Sequence, residues 1–209
     1  MNSVIFDIDG TLWDATGSIM KAWNEVLEKN GLPDVDLKTV RNSMGKTEQE
    51  ICEYVLPEID FDTKWRVFRD AFPNEIPFIK KYGGVLFDKV ASTVEALSNV
   101  YALCIITNAG SRYANAFLDA SGLRKYFTDY IGYDDNHLTK DKNIELLKER
   151  HGFDKVIYVG DTAADQYFAK EADVPFIYHK KGFGTAENPQ YSFDDYADLE
   201  EMIHSIFND

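Results

Sequence analysis

The stretch Val4-Ile5-Phe6-Asp7-Ile8-Asp9-Gly10-Thr11-Leu12-Trp13-Asp14 decides the reading of this chain. Its apolar start predicts a buried parallel strand over residues 3–8, apolar on both faces until the acids begin. Asp7 and Asp9 then stand two residues apart where the strand ends, ahead of a glycine turn. Like charges that close raise each other's pKa, and burial adds a desolvation cost. A divalent cation removes both problems. An ordinary Asp-Gly turn accounts for Gly10, but not for a carboxylate on each side of Ile8.

Later blocks turn this pair into a pattern. Residues 101–106 form another apolar run, ending in Thr107-Asn108. Lys140 and Lys142 precede an amphipathic helix. Val156-Ile157-Tyr158-Val159 is a further strand, ending in Gly160-Asp161-Thr162-Ala163-Ala164-Asp165. In this order, DIDGTLWD, IITN, a lysine and VGDTAAD resemble the motifs of the haloacid dehalogenase-like hydrolase superfamily. The resemblance covers nearly the whole chain. Any one motif is weak evidence; the full set in order, each at a strand end or helix start, is specific.

Composition agrees. At 209 residues the chain is long enough for a substantial core and for one larger and one smaller unit. Hydrophobic content of 44% and charged content of 28% are those of an ordinary globular protein. The net charge of -14 argues against nucleic acid or an anionic membrane as partner. It also means that an anionic substrate must be held by local cations. Cys52 and Cys104 have no CxxC spacing and read as buried, reduced thiols. The chain opens almost directly on its first strand, leaving no room for a signal peptide, and no apolar run is long enough to span a bilayer. A cytoplasmic location is expected.

Along the chain the texture changes twice. Between residues 16 and 82 apolar residues recur at helical spacing, as in Ile19, Trp23, Val26 and Leu27, and no strand run stands out. Gly31-Leu32-Pro33 closes a first helix. Thr47 with Glu50 reads as a capping box opening the next, and Pro57 ends it. Trp65, Phe68 and Phe72 suit a third helical face, punctuated by Pro73 and Pro77. From residue 90 helices and strands alternate: helix 90–99, strand 101–107, helix 111–121, strand 129–132, helix 141–151, strand 155–159, helix 162–172, strand 174–177, and a helical tail from about 195. That alternation predicts an α/β fold, a doubly wound, Rossmann-like parallel sheet covered on both faces. Its site lies at the C-terminal strand ends, where every motif falls. The helical insert is similar to the small cap of the superfamily, giving a catalytic core of residues 1–15 and 83–209 and a cap of residues 16–82. Joints are expected near Ala15-Thr16-Gly17 and Tyr82-Gly83-Gly84.

The resemblance implies a phosphatase that uses Mg2+ on a small phosphorylated metabolite. Asp7 is then the nucleophile, forming an aspartyl-phosphate. Asp9 is the general acid and base, and should carry a raised pKa. The carboxylates of Asp7 and Asp161 and the backbone carbonyl of Asp9 are the implied metal ligands. Asp165 is expected to orient Asp161 or a metal-bound water, although its spacing from Thr162 also suits a capping box. Thr107 and Asn108 are placed on the phosphoryl oxygens, with Asn108 or Ser111 alternatively capping the next helix. Lys140 or Lys142 supplies fixed positive charge. The stretch Leu138-Thr139-Lys140-Asp141-Lys142-Asn143-Ile144 is similar to a Thr-Lys-Gly-Glu-Asn-Ile form in relatives, which points to Lys140.

In the insert, Met44-Gly45-Lys46-Thr47 is similar to a substrate-facing loop of the phosphoglycolate phosphatase-like branch. Lys46 or Arg41 could therefore meet a second anionic group, unless the loop is simply solvated. Trp23, Trp65, Phe68 and Phe72 read as cap core, and the four histidines have no metal-ligand spacing. A phosphomutase of the β-phosphoglucomutase type uses the same acid pair and stays open. A dehalogenase is disfavoured because that branch lacks an acid at the position of Asp9. A phospho-accepting signalling domain is also disfavoured, because its acceptor Asp follows a mid-chain strand. Substrate and oligomeric state are not read from the sequence.

Overall fold

The computed structural model describes residues 1–208. The first motif fixes the centre of the fold. β1 (Ser3–Phe6) is buried along its whole length. It pairs in parallel with β4 (Ala102–Thr107) on one side and β6 (Val156–Gly160) on the other. A strand flanked on both edges and covered on both faces can be apolar throughout, as this one is. β5 (Asp129–Gly132) lies outside β4. β7 (Phe176–His179) and β8 (Tyr191–Phe193) continue beyond β6, giving the order β5-β4-β1-β6-β7-β8.

Side-chain alternation along β1 divides the core. Val4 and Phe6 join one apolar cluster, with Leu103, Ile105, Ile157 and Val159. Ile5 joins the other, with Cys104, Ile106 and Tyr158. α5 (Val90–Ser98), α6 (Ser111–Ser121) and α10 (Tyr196–Asn208) cover the first face. α8 (Lys140–His151) and α9 (Ala163–Glu171) cover the second. The short α7 (Tyr133–Asn136) follows β5. Both cysteines are free and buried.

The chain runs from β1 to β4 and β5, then crosses back over β1 to β6. That reversal leaves a crevice at the C-terminal ends of β1, β4 and β6, where ligands bind in such sheets.

Residues 16–82 hold four helices: α1 (Thr16–Lys29), α2 (Leu37–Ser43), α3 (Glu48–Val55) and α4 (Phe61–Tyr82). The capping box of Thr47 and Glu50 opens α3 as the spacing predicts. The prolines do not. α4 runs unbroken through Pro73 and Pro77, each of which removes a helical N–H donor. Its packing against α1 outweighs that cost: Trp23 makes edge contacts with Phe68 and Phe72, and the Asn74 amide donates to the carbonyl of Ala22.

Two strands of two residues were not legible in the sequence. β2 (Trp13–Asp14) and β3 (Val85–Leu86) pair antiparallel. They hold the entry to the helical insert beside its exit, and the Ser18 hydroxyl donates to the Gly83 carbonyl across the same gap. The apolar cluster on the first sheet face continues through Trp13 into α1 and α4.

Candidate active site

Asp7 follows β1 directly and is buried with Lys140 against it. The Lys140 ammonium donates to Asp7 Oδ1 at 2.7 Å and to Asp165 Oδ1 at 2.6 Å. Lys140 is itself buried, at the start of α8. Lys142 is exposed and pairs with Glu145 instead. Burial opposes charge on Lys140, yet Asp165 and Asp7 hold its pKa well above the ordinary value. Burial pushes the carboxyl of Asp7 up, Lys140 pulls it back, and Asp165 adds to the rise.

Asp9 accepts a hydrogen bond from the Tyr113 hydroxyl on α6. Burial pushes its carboxyl up to about 7; the Tyr113 bond opposes the rise and the charge on Asp7 adds to it.

The turn after Asp9 has no substitute for Gly10. Its φ is +82°, in the left-handed region, and a Cβ there would fall 2.2 Å from Asp161 Oδ2. This close approach brings the turn after β1 against the loop after β6. Asp161, fully buried, accepts from the Thr11 hydroxyl at 3.2 Å and from the backbone N–H groups of Phe183 and Gly184 at 2.7 and 3.2 Å. Its carboxyl is still pushed up, by burial first and then by Asp165 and Asp7. His179, buried at the end of β7, donates through Nδ1 to the Gly10 carbonyl at 2.8 Å, and the Tyr196 hydroxyl donates to that of Thr11.

Asp165 has both oxygens engaged. Oδ1 accepts from Lys140 and from the Tyr158 hydroxyl, and Oδ2 accepts from the Thr162 N–H and hydroxyl, completing the capping box of α9. It makes no hydrogen bond to Asp161. Burial works against its ionisation, but Lys140 and Thr162 keep its pKa below the ordinary value.

Carboxylate oxygens of Asp7, Asp161 and Asp165 come within 4.8 Å of one another. Three carboxylates faced by one lysine leave excess negative charge in a buried place. Oxygen donors with excess negative charge fit a hard divalent cation.

A cavity of about 460 Å³ opens above Asp7 and Asp9, between the sheet and the helical insert. Thr107, Asn108 and Lys140 line it, as does Lys46. Thr107 Oγ1 accepts from the Ala109 N–H at 3.1 Å, and the Asn108 amide donates to the Gly45 carbonyl in the insert at 3.1 Å. Neither Asn108 nor Ser111 caps α6 through its side chain. Arg41 does not line the cavity: its guanidinium pairs with Asp14 at 2.7 Å, beside the paired strands. Trp23 and Phe72 are core residues, as read from the sequence, but they also wall the cavity. Arg69, Glu75, Arg112 and Tyr113 line it too, and the sequence reading passed over all of them. A polar residue on a helix carries no local sign of the cavity its partner helix forms with it.

Residues 4–179 match the family described as haloacid dehalogenase-like hydrolase. The chain belongs to that family and is an enzyme. It is 27% identical to the phosphoglycolate phosphatase of Rhodobacter capsulatus over 190 residues, covering 87% of this chain and 85% of the relative. It is 26% identical to the phosphoglycolate phosphatase of Escherichia coli (strain K12) over 233 residues, covering 99% and 92%. Among solved structures, it resembles one described as a predicted phosphoglycolate phosphatase from Haemophilus somnus, with a TM-score of 0.84 and 22% identity over 96% of each chain. The haloacid dehalogenase-like protein SP0104 of Streptococcus pneumoniae aligns with a TM-score of 0.82 and 22% identity over 96% of this chain and 97% of that one. At those identities the structures speak for the fold. No described helix is long and apolar enough to cross a membrane.

Proposed function

We propose that this hydrolase cleaves a small phosphate monoester by way of a covalent phosphoryl group on Asp7. Hydrolysis of a phosphoric monoester is the activity its named relatives share. The observation that carries the reading is the pairing of two unlike carboxyl groups in one cavity. Asp7 lies at the strand end against Lys140, and Asp9 titrates near 7 beside Tyr113.

Each group has one task in this reading. An Asp7 carboxylate oxygen attacks phosphorus, and the bond from phosphorus to the ester oxygen breaks. Asp9, still partly protonated near neutral pH, gives its proton to the leaving oxygen. A water then attacks phosphorus, Asp9 takes up its proton, and the bond to Asp7 breaks, releasing phosphate. Lys140 keeps Asp7 anionic and stands beside the entering phosphate, while Asp165 and Tyr158 hold Lys140 in place. Thr107 and Asn108 serve the phosphoryl oxygens. Asp7, Asp161 and the Asp9 carbonyl would hold Mg2+, which when bound offsets charge between Asp7 and the phosphate. Residues 16–82 act as a cap over residues 1–15 and 83–209, and Lys46 meets the rest of the substrate. The protein works in the cytoplasm on a soluble metabolite.

A screen of phosphorylated metabolites with Mg2+, reading phosphate release, tests this. Asp7→Asn should abolish release from every ester that the wild type cleaves. Release by Asp7→Asn at near wild-type rates would overturn the proposal.

A further inference from the structure

Asp9 has a proton to move, and a carboxyl group has two oxygens from which to move it. Only the oxygen that carries the proton can serve the leaving oxygen. Tyr113 breaks that symmetry. Its hydroxyl donates to Asp9 Oδ1. Among the described residues Oδ2 makes no hydrogen bond, and the side-chain atoms sealed in without a partner are Ser3 Oγ and Trp13 Nε1. Oδ2 is therefore the free and reachable oxygen of an acid that lines the cavity. The Trp13 indole N–H lies near the same carboxyl and eases its ionisation, but completes no hydrogen bond.

Tyr113 is itself held from several sides. It is buried in the first turn of α6, where its N–H donates to the Gly110 carbonyl at 2.9 Å. The start of that helix is pinned by Asp134, which accepts from the Ser111 N–H at 2.5 Å. The Tyr113 ring meets Trp13 edge-on, with centroids 6.3 Å apart, and Trp13 meets Phe117 in the same way at 4.8 Å. Trp13 and Phe117 are both fully buried. A hydroxyl on a ring locked by packing and backbone is a rigid donor. Residues 107–113 thus carry the proposed phosphoryl contacts of Thr107 and Asn108 and the partner of Asp9 on one short segment.

We propose that Tyr113 is a positioning residue: by holding Oδ1, it makes Oδ2 of Asp9 the oxygen that hands a proton to the leaving alcohol. The proposal rests on the phosphatase reading and extends it to a side chain outside the sequence motifs. The proton leaves Oδ2 as the bond from phosphorus to the ester oxygen breaks. It returns to Oδ2 from the attacking water, and the Tyr113 O–H stays intact in both halves. Without Tyr113 the carboxyl is free to turn, and a misplacement of about 1 Å can cost about 10²-fold in rate.

The test measures kcat/KM with Mg2+ for p-nitrophenyl, phenyl and benzyl phosphate, whose leaving groups rise in basicity in that order. This quantity covers only the steps up to loss of the alcohol, so its change from ester to ester reads the proton given by Asp9. The enzymes are the wild type, Tyr113→Phe, Asp9→Asn and the double variant. Tyr113→Phe keeps the ring against Trp13 and removes only the hydroxyl, and a thermal melt checks that the fold is retained. Its loss should grow with leaving-group basicity, about ten- to a hundredfold larger for benzyl than for p-nitrophenyl phosphate. In the Asp9→Asn background the same substitution should cost no more than about twofold on any ester, because the group it aims is gone. A wild type inert towards all three esters sinks the phosphatase reading and this proposal with it. With an active wild type, equal losses on the three esters, or a loss undiminished in Asp9→Asn, overturn the proposal alone and leave Tyr113 a packing residue.

Discussion

Lys140 and Lys142 are two residues apart, and their surroundings separate them. Among the described residues Lys140 is the only cation paired with the buried carboxylates of Asp7 and Asp165, and Lys142 sits in solvent beside Glu145. Removing one partner of a buried pair leaves an uncompensated charge, at a cost of about 3–5 kcal/mol. Lys140→Ala should therefore lose both turnover and stability. Lys142→Ala should change stability by less than about 1 kcal/mol and keep turnover. Denaturant melts and phosphate release read both, and a variant Lys140→Ala as stable and active as wild type would contradict the assignment. Glu75 gives a prediction in pH. Burial lifts its folded pKa above its ordinary value of 4.5, to about 8. A carboxyl raised on folding stabilises the fold while protonated. That contribution is complete below about pH 4.5 and is lost as pH rises towards about 8. Glu75→Gln, which cannot ionise, should gain on wild type in Tm across that window. Parallel Tm profiles would show that Glu75 does not titrate this way. Asp7, Asp9, Asp161 and a lysine near 140 were legible in the sequence because a strand end or a helix start fixes where the next side chain goes. Tyr113 and Glu75 were not. Tyr113 meets Asp9 across 104 positions and Glu75 meets Trp23 across 52, and no local pattern records a contact made only by tertiary packing.

Elements show the same division. The parallel strands and the capping box at Thr47 were legible, because hydrophobic period and cap chemistry are local. Pro73 and Pro77 misled for the converse reason: the energy that keeps α4 helical comes from α1. β2 and β3, two residues each, are too short to carry a period. They also change what a test of the joints can be. Gly83 has a φ of +68° and its N–H caps α4 by donating to Ile79, and a Cβ on Gly84 would fall 2.6 Å from the Trp13 ring. Proline at these positions would break the structure rather than stiffen a joint. The loop between α2 and α3 offers a cleaner experiment. Lys46 lines the cavity, whereas Arg41 is a half-exposed partner of Asp14. Lys46→Ala should reorder the preference among real substrates more than it alters p-nitrophenyl phosphate turnover. Arg41→Ala should keep the order and cost less than about 1 kcal/mol of stability. If Arg41→Ala reorders substrates and Lys46→Ala does not, the loop has been assigned the wrong way round.

At the scale of the whole molecule, a chain of net charge -14 gathers three carboxylates at the end of its central strands. The sheet brings them together because β1 and β6 are neighbours, although their acids are more than 150 positions apart in sequence. A cation bound only by the folded chain stabilises it by mass action, about 2.7 kcal/mol at a hundredfold excess over Kd. Mg2+ should raise Tm, and Asp161→Asn should remove most of that rise. An equal rise in Asp161→Asn would place the ion elsewhere. Ca2+, with its longer bonds and larger ligand number, should also raise Tm while inhibiting turnover. The central claim concerns the covalent step on Asp7. Asp9→Asn should slow proton transfer about 10²- to 10⁴-fold. It should spare attack on p-nitrophenyl phosphate, whose leaving group needs no proton. The direct measurement mixes that variant with p-nitrophenyl phosphate and Mg2+, quenches in acid, and maps the mass of the peptides. The account predicts a burst of nitrophenolate matched by one phosphoryl group on Asp7. A burst with no covalent phosphate, or with phosphate on another residue, would contradict it.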